Sequence, residues 1–190
     1  MAKDKIDINS IAWPLERLMR LMRGDAHDGA LNPAQWEALR YLARANRFSD
    51  SPGALTRFLG STKGTVSQTL KALQRKGLVT KTARENQRRS VSLTLTPDAR
   101  AMLHNDPLLA FSETIDGLNG KSKRRLSKGL ASLMDSELAR QEQPRFGVCS
   151  TCRYYREKGG SVELAKPHAC MLFDTSLSDG EAKLICIEHA

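Results

Sequence analysis

The chain has 190 residues, of which 40% are hydrophobic and 27% charged, and it carries a formal net charge of +9. This length allows one well-formed hydrophobic core and one small additional module. The longest unbroken apolar run is only Ala169 to Phe173, and the N-terminus lacks the hydrophobic stretch of a signal peptide. Composition therefore argues against a membrane-inserted or exported protein and predicts a cytoplasmic one.

The charge is unevenly distributed along the chain. Residues 144–190 carry six basic and six acidic side chains, so the whole positive excess lies in residues 1–143. Within that part, the segment from Leu55 to Leu95 holds nine basic side chains and one acidic side chain. This concentration of positive charge is typical of a surface that neutralises phosphates. We therefore expect double-stranded DNA as the partner, with a solvated basic face or an anionic membrane as the alternatives.

Helix-capping and stop signals predict the elements that lead into this basic segment. They indicate four helices, at residues 9–24, 33–46, 52–60 and 62–77. The third and fourth are short, and a tight turn around Gly60 joins them, which is the pattern of a helix-turn-helix. Residues 78–81 and 91–95 are strand-like and flank a polar tip at residues 83–89. A β-hairpin, or wing, is therefore predicted directly after the fourth helix.

Three more helices are predicted beyond the wing. They cover residues 97–104, 107–118 and 122–143. The Gln143-Pro144 pair then marks a boundary, after which the composition changes and all four cysteines occur.

Four stretches of the winged segment carry a family pattern. They are Leu-Asn-Pro-Ala-Gln-Trp at 31–36, Ser-Thr-Lys-Gly-Thr-Val-Ser-Gln-Thr-Leu-Lys-Ala-Leu-Gln-Arg-Lys-Gly-Leu-Val at 61–79, Arg-Arg at 88–89 and Leu-Thr-Pro at 95–97. In this order they closely resemble the MarR family of winged-helix transcriptional regulators, over residues 30 to about 104. Two positions depart from the family pattern. Gln87 stands where the family usually has an aspartate that pairs with a wing arginine, and Ala99 replaces a common glycine.

The resemblance implies a mainly α fold with a small β-wing, built as a winged helix-turn-helix. It also implies a homodimer on a pseudo-palindromic operator, because the flanking helices fit the family's dimerisation elements. Residues 1–30 would then form an N-terminal dimerisation helix, residues 31–104 the DNA-binding domain, residues 105–143 the C-terminal dimerisation helices and residues 144–190 a four-cysteine metal-binding module. The apolar stripes of the first and last helices would meet a second copy; the alternative is that they form intramolecular core.

Helical spacing selects the DNA-reading residues of the fourth helix. If Val66, Leu70 and Leu73 face inward, the opposite face points to the major groove. That outward set contains Lys63, Gly64, Ser67, Gln68 and Lys71, with Thr65 at its flank. An amide such as that of Gln68 suits an adenine edge, and Lys63 suits a guanine or a phosphate. A merely solvated face is the alternative.

Basic side chains beyond this face are expected to contact the DNA backbone and the minor groove. Phosphate contacts are expected from Arg75, Lys76 and Lys81. The wing is expected to contribute Arg84, Arg88 and Arg89. The family resemblance points to Arg89 as the residue inserted into the minor groove.

The four cysteines, Cys149, Cys152, Cys170 and Cys186, form a C-x2-C-x17-C-x15-C pattern within the last 42 residues. A CxxC pair brings two sulfurs to one tight turn, and two further cysteines complete a set of four ligands. So short a segment buries too little apolar surface to fold well without a covalent or metal crosslink. A metal site is therefore predicted, with two disulfides or four unliganded thiols as the alternatives.

The identity of the metal is less constrained by the spacing. Structural zinc sites often use two CxxC pairs, whereas this chain has one pair and two isolated cysteines. That pattern is similar to the ligand spacing of high-potential iron–sulfur proteins, with Tyr154, Tyr155 and the run 170–173 able to shield a cluster. An iron–sulfur cluster is the first choice, 4Fe-4S before 2Fe-2S, and Zn²⁺ is the alternative. His168 or His189 could replace one thiolate, although a histidine beside a site is more often a neighbour than a ligand.

Three functions follow from these features. The first is a DNA-binding transcriptional regulator whose cluster senses redox or iron status. The second is the same regulator with a structural zinc site and a different effector. The third, a metalloenzyme or electron carrier, is disfavoured because His168-Ala169-Cys170 lacks the glutamate of a zinc deaminase and no partnered nucleophile is identifiable. No enzymatic activity is therefore expected.

Overall fold

The computed structural model describes residues 7–25, 30–84, 87–159 and 165–190, without the side chains of residues 23–25 and 87–90. The first part of the chain is mainly helical. Its elements are α1 (Asn9–Asp25), α2 (Pro33–Arg44), α3 (Pro52–Phe58), α4 (Lys63–Arg75), β1 (Val79–Arg84), β2 (Gln87–Leu95), α5 (Pro97–Leu103), α6 (Leu108–Asp116) and α7 (Gly120–Arg140). The mainly α fold with a small β-wing is confirmed.

Side-chain caps set the starts of the predicted helices. Asn32 and Gln35 form a reciprocal capping box at the start of α2, which satisfies two backbone N–H groups that the first turn leaves unpaired. Ser51, Thr62 and Thr96 cap α3, α4 and α5 through their hydroxyl groups. These starts were all readable from sequence.

The end of α2 differs from its prediction, and α7 also ends earlier than predicted, at Arg140 instead of Gln143. The sequence pattern carries α2 to about Asn46, but the helix ends at Arg44. Ala45 turns into an extended conformation and bridges to Ile185, while the backbone N–H of Asn46 donates to the carbonyl oxygen of Ile185 at 2.9 Å. A tertiary contact with the cysteine-containing part of the chain therefore ends α2 early.

The main core lies where α2, α3, α4 and the β-hairpin meet. Its buried side chains include Trp36, Leu39, Leu55, Leu70, Leu73, Leu93 and Leu95. Gly60 and Gly77 both have positive φ, at the turns that end α3 and α4. Since such angles favour glycine, these two positions allow the chain to fold back twice around a short recognition helix.

The wing is an antiparallel hairpin with a longer ladder than expected. Val79 pairs with Leu95 and Ala83 with Val91, and the register then shifts so that Arg84 pairs with Gln87. The predicted polar tip at residues 83–89 was therefore too wide, because β1 continues to Arg84 and β2 begins at Gln87.

The helices α1, α6 and α7 leave apolar surface uncovered within the chain. In α6 and α7 no residue is buried. The exposed apolar side chains include Ile11, Trp13, Leu18, Leu109, Leu126, Leu130, Leu133 and Met134. These stripes are not intramolecular core, so that alternative is wrong; the homodimer that would cover them remains a prediction.

The C-terminal module consists of short strands and two 3-10 turns. Its strands are β3 (Gly147–Val148), β4 (Tyr155–Arg156), β5 (His168–Cys170), β6 (Thr175–Leu177) and β7 (Ile185–Cys186). β3 pairs with β7, and β4, β5 and β6 form a second small sheet. Among the described residues, no helix is both long and apolar enough to cross a lipid bilayer.

The module lies against the corner between α2 and α3. Ile185 is buried in the main core, and the ring of Phe146 contacts Tyr41 and Phe58 edge-on at 6.3 and 5.1 Å between ring centroids. The sequence predicted only that the module follows the last dimerisation helix. Its docking on the helix-turn-helix part of the chain was not predicted.

Candidate functional site

The α4 helix has the orientation that its spacing predicted. Val66, Leu70 and Leu73 are each at most 1% exposed. On the other side, Lys63, Thr65, Gln68 and Lys71 are exposed, and Ser67 is partly buried. Thr65 also closes the N-terminal turn, because its backbone N–H donates to the capping hydroxyl of Thr62 at 3.1 Å. The structure thus presents one continuous polar and basic helix face.

A shallow open groove continues this face toward the end of α4. Gln68, Lys71, Gln74 and Arg75 line it. Lys76, by contrast, donates to the backbone carbonyl of Ala30 and, at 3.2 Å, to Oε1 of Gln35. Of the expected phosphate contacts near this helix end, Arg75 lies on the open face, whereas the ammonium group of Lys76 has protein partners.

The wing is held by an acidic residue from outside it. The Asp50 carboxylate accepts hydrogen bonds from the guanidinium of Arg84 and the hydroxyl of Ser92. The backbone N–H of Leu93 donates to the carbonyl oxygen of Asp50 at 2.7 Å. Arg84 was predicted to contact DNA; in this structure its guanidinium binds Asp50. Asp50 therefore supports both strands of the wing from outside the hairpin.

The other two predicted wing contacts, Arg88 and Arg89, lie in β2. Their side chains fall outside the described part of the structure, so their roles stay predictions.

The four cysteines, far apart in sequence, line a single cavity. Cys149, Cys152, Cys170 and Cys186 line a small cavity of about 10 Å³. Aromatic and aliphatic side chains complete its wall, namely Tyr154, Tyr155, Leu172, Phe173 and Leu177. Both tyrosines and part of the 170–173 run thus line the cavity; their shielding of a cluster stays a prediction. In the described residues, no three Cys, His, Asp or Glu side chains are grouped to hold a single metal ion.

Cys149 and Cys186 form the buried side of this cavity and are hydrogen-bonded to each other. The hydrogen bond from Cys149 lowers the pKa of Cys186 to about 6, against the opposing effect of burial and with help from Asn46. The same bond, together with burial, raises the pKa of Cys149. A lowered pKa favours the thiolate, which is the form of cysteine that binds metals.

Protein groups donate hydrogen bonds to these two sulfurs. Asn46 Nδ2 lies 3.3 Å from the Sγ of Cys149. Cys186 receives a hydrogen bond from the Glu188 backbone N–H. Such donors stabilise negative charge on sulfur. Asn46, Ser49 and Asp50 were all missed in the sequence, since a short polar loop between two helices carries no signal of what will pack on it.

The two candidate histidines have partners of their own. His168 Nε2 lies 2.8 Å from Asp179 Oδ1, and its Nδ1 accepts a hydrogen bond from the Lys158 backbone N–H at 3.3 Å. His189 Nε2 lies 3.0 Å from the hydroxyl of Thr151. Neither histidine lines the cysteine cavity. The candidate ligand set therefore consists of the four cysteines.

Comparison with known protein families finds a match for the first part of the chain. A MarR family profile matches residues 31–90, while no curated protein sequence matches the chain.

Several solved structures share the fold. A MarR transcriptional regulator from Methanosarcina mazei is 17% identical, with a TM-score of 0.56 over 69% of this chain and 95% of that one. FabT from Streptococcus pneumoniae, solved in complex with DNA, is 24% identical, with a TM-score of 0.57 over 68% and 96%. MepR from S. aureus, in its DNA-binding conformation, is 17% identical, with a TM-score of 0.58 over 66% and 96%.

At these identities the solved structures establish the fold, and the MarR family profile matches the segment that holds α2 to the wing. Residues 31–90 of this chain therefore form a winged helix-turn-helix that is similar to the MarR family.

Proposed function

We propose that this protein is a dimeric, DNA-binding transcriptional regulator whose cysteine site binds an iron–sulfur cluster and reports redox or iron status. The observation that carries the DNA-binding part is the exposed α4 face, which lies beside a supported wing in a MarR-type domain. The FabT and MepR structures, titled as a DNA complex and a DNA-binding conformation, support the same use of the domain here. A regulator, and not an enzyme, fits these features.

The proposed DNA contacts divide into two groups. Lys63, Thr65, Ser67, Gln68 and Lys71 would enter the major groove from the face of α4. The wing arginines, Arg84, Arg88 and Arg89, would lie along the adjacent minor groove or backbone. Arg84 would keep its bond to Asp50 and so position the strand that carries the other two.

The homodimer is supported by the uncovered helices. Leu126, Leu130 and Leu133 recur on one face of α7 and are at least 40% exposed within the chain. An apolar stripe of this length is typical of an interface with a second copy. Two wings and two recognition helices would then face the half-sites of a pseudo-palindromic operator.

The cluster proposal is supported by three features of the cysteine cavity. Four sulfurs line one space, apolar and aromatic side chains shield it, and N–H groups bond to the buried sulfurs. One CxxC pair followed by two isolated cysteines also favours a cluster, whereas structural Zn²⁺ sites often use two CxxC pairs. The bound cluster would supply one-electron chemistry or sensitivity to iron supply; the chain's own residues hold it, shield it and tune its charge. Structural Zn²⁺ is the competing candidate.

Binding to a fluorescent DNA duplex tests the DNA-binding part of this proposal. The duplex is taken from the DNA immediately upstream of the gene that encodes the protein. Wild type should bind it more tightly than a scrambled duplex of equal length, and binding should weaken steeply as salt rises, because phosphate contacts release counterions. Equal affinity for both duplexes at every salt concentration would remove the regulator proposal.

A further inference from the structure

The loop between α2 and α3, residues 45–51, contacts the cysteine site on one side and the wing on the other. We propose that this connecting loop transmits the state of the cysteine site to the wing, so that an intact site holds the wing in place and a lost site releases it. The inference rests on the proposed function, since it names how the cysteine site would regulate DNA binding.

On the side of the cysteines, a buried amide joins the loop to a sulfur. Asn46 is only 2% exposed, and its Nδ2 donates to the Cys149 Sγ. Its Oδ1 accepts from the hydroxyl of Ser49 at 2.8 Å and from the backbone N–H of Phe48 at 3.0 Å. The Ser49 hydroxyl accepts in turn from the backbone N–H of Ile187, one residue after Cys186, at 2.8 Å. Both polar atoms of the amide are thus engaged.

The surface of the loop is bound to the same module. Arg47 donates to the Thr175 hydroxyl and to the Ser176 carbonyl oxygen, both at 2.9 Å. The ring of Phe48 stacks on that of Phe173 at 3.9 Å between centroids, with planes 9° apart. Phe173 also lines the cysteine cavity. A change in the contents of the cavity that moves Phe173 would therefore also move Phe48 and the loop that carries it.

On the side of the wing, the contacts are made by the residue that follows Ser49. Asp50 binds Arg84 on β1 and Ser92 on β2 through its carboxylate, and Leu93 through its carbonyl oxygen. It therefore links both wing strands, only four positions after Asn46. A bonded path runs from the sulfur through Asn46, Ser49 and Asp50 to the wing.

The path responds to the sulfur because the amide is buried. If Cys149 no longer accepts the hydrogen bond from Asn46, the loop must either leave a buried N–H unpaired or rearrange to satisfy it. Rearrangement over so short a stretch displaces the Asp50 carboxylate from its two wing partners. The wing then opens more often, and its arginines lose their fixed approach to DNA.

Hydrogen exchange on the full-length, DNA-free protein tests this coupling directly. Peptides that cover residues 79–95 report on the wing, and peptides that cover residues 33–44 serve as an internal reference for α2. Cys149→Ala removes the sulfur acceptor whether or not a metal is bound, and we expect wing exchange to rise roughly tenfold with the reference unchanged. Asp50→Asn, which weakens the other end of the path, should give a similar rise.

The double variant supplies the decisive comparison. If the two residues act along one path, Cys149→Ala adds little wing exchange to Asp50→Asn. Asp135→Asn, which loosens the surface pair of Asp135 with Arg145, is the matched control and should leave the wing unchanged. Should Asp50→Asn fail to fold, Ser92→Ala removes one of the same contacts more mildly.

Two outcomes overturn the proposal. One is unchanged wing exchange in Cys149→Ala, and the other is fully additive effects in the double variant. Binding of DNA and of metal is measured separately. If the protein bound neither, the proposed function would be wrong, but the exchange results would still show whether the cysteine site and the wing are coupled.

Discussion

Asp50 and Arg84 form an ion pair that joins the end of the α2–α3 loop to the first strand of the wing. The side chains are 20% and 28% exposed, so the pair is partly shielded from solvent and is stronger than a fully exposed one. It gives the wing an acidic partner that lies outside the hairpin. Wing geometry in this protein therefore depends on a residue next to the cysteine module.

Two substitutions on α4 should affect DNA binding in different ways. Gln68→Ala removes a candidate base contact, and it should reduce affinity for the preferred duplex by about 1–3 kcal/mol while scrambled DNA is bound as before. Arg75→Ala removes a candidate phosphate contact, and it should weaken both duplexes alike and flatten the salt dependence by about one counterion.

Anisotropy titrations over a range of salt concentrations measure both effects. Lys128→Ala, at an exposed position of α7, is the control and should match wild type. If Gln68→Ala lowered affinity for both duplexes equally, its assignment as a base-reading residue would be wrong.

Arg89→Ala tests the wing. Resemblance to the family makes Arg89 the residue that enters the minor groove, so we expect a loss of at least about tenfold in operator affinity, since narrow A·T-rich grooves attract arginine. Arg100→Ala removes an equal charge from the exposed side of α5 and should change affinity far less. Equal losses in the two variants would mean that overall charge, and not wing insertion, sets the effect.

Leu130→Glu combined with Leu133→Glu tests the dimer. These side chains are 41% and 50% exposed within one chain, so placing charges there should leave the fold intact but separate two copies. Light scattering should report a monomer, with the circular dichroism of wild type. Ser132→Glu, at the neighbouring exposed position, should stay dimeric if the apolar stripe is the interface. A monomeric wild type would contradict the assignment.

The pair of Arg40 with Asp106 should make stability depend on pH. Burial opposes ionisation of Asp106, but hydrogen bonds from Arg40 and from the Leu108 N–H, with the charge of Arg40, hold its pKa below the ordinary value. Because the folded pKa is lowered, this stabilisation is present above the unfolded pKa of about 3.9 and is lost as pH falls through the folded value.

Urea unfolding measures this contribution to the free energy of unfolding. Asp106→Asn should reduce the free energy of unfolding at pH 7 by about 1–3 kcal/mol. The difference in this free energy between wild type and variant should become smaller below about pH 4. A difference that stayed constant over this range would show that the carboxylate contributes by shape and not by charge.

Much of the DNA-binding half was predictable because its signals are local. Asn32, Ser51, Thr62 and Thr96 each act within one helical turn, and the inward face of α4 follows from a spacing of 3.6 residues per turn. The cysteine grouping was also readable, since a CxxC pair with two further cysteines is itself a spacing signal.

The contacts between the winged part of the chain and the cysteine module were not predictable, because the residues involved are far apart in the sequence. Asn46 meets Cys149 across 103 positions of the chain, and neither residue carries a local pattern that names the other. The early end of α2 and the pairing of Asp50 with the wing have the same origin, because tertiary contacts override local propensity there.

The central claim is that the occupancy of the cysteine site controls binding to DNA. One titration tests it: anisotropy with the upstream duplex, on anaerobically purified protein of known iron, zinc and sulfide content, before and after removal of the metal. We predict iron with sulfide in the isolated protein, and weaker operator binding by roughly tenfold or more after removal, with Cys170→Ser resembling the stripped form from the start. Stoichiometric zinc or no metal, with the same affinity in all three samples, would contradict it.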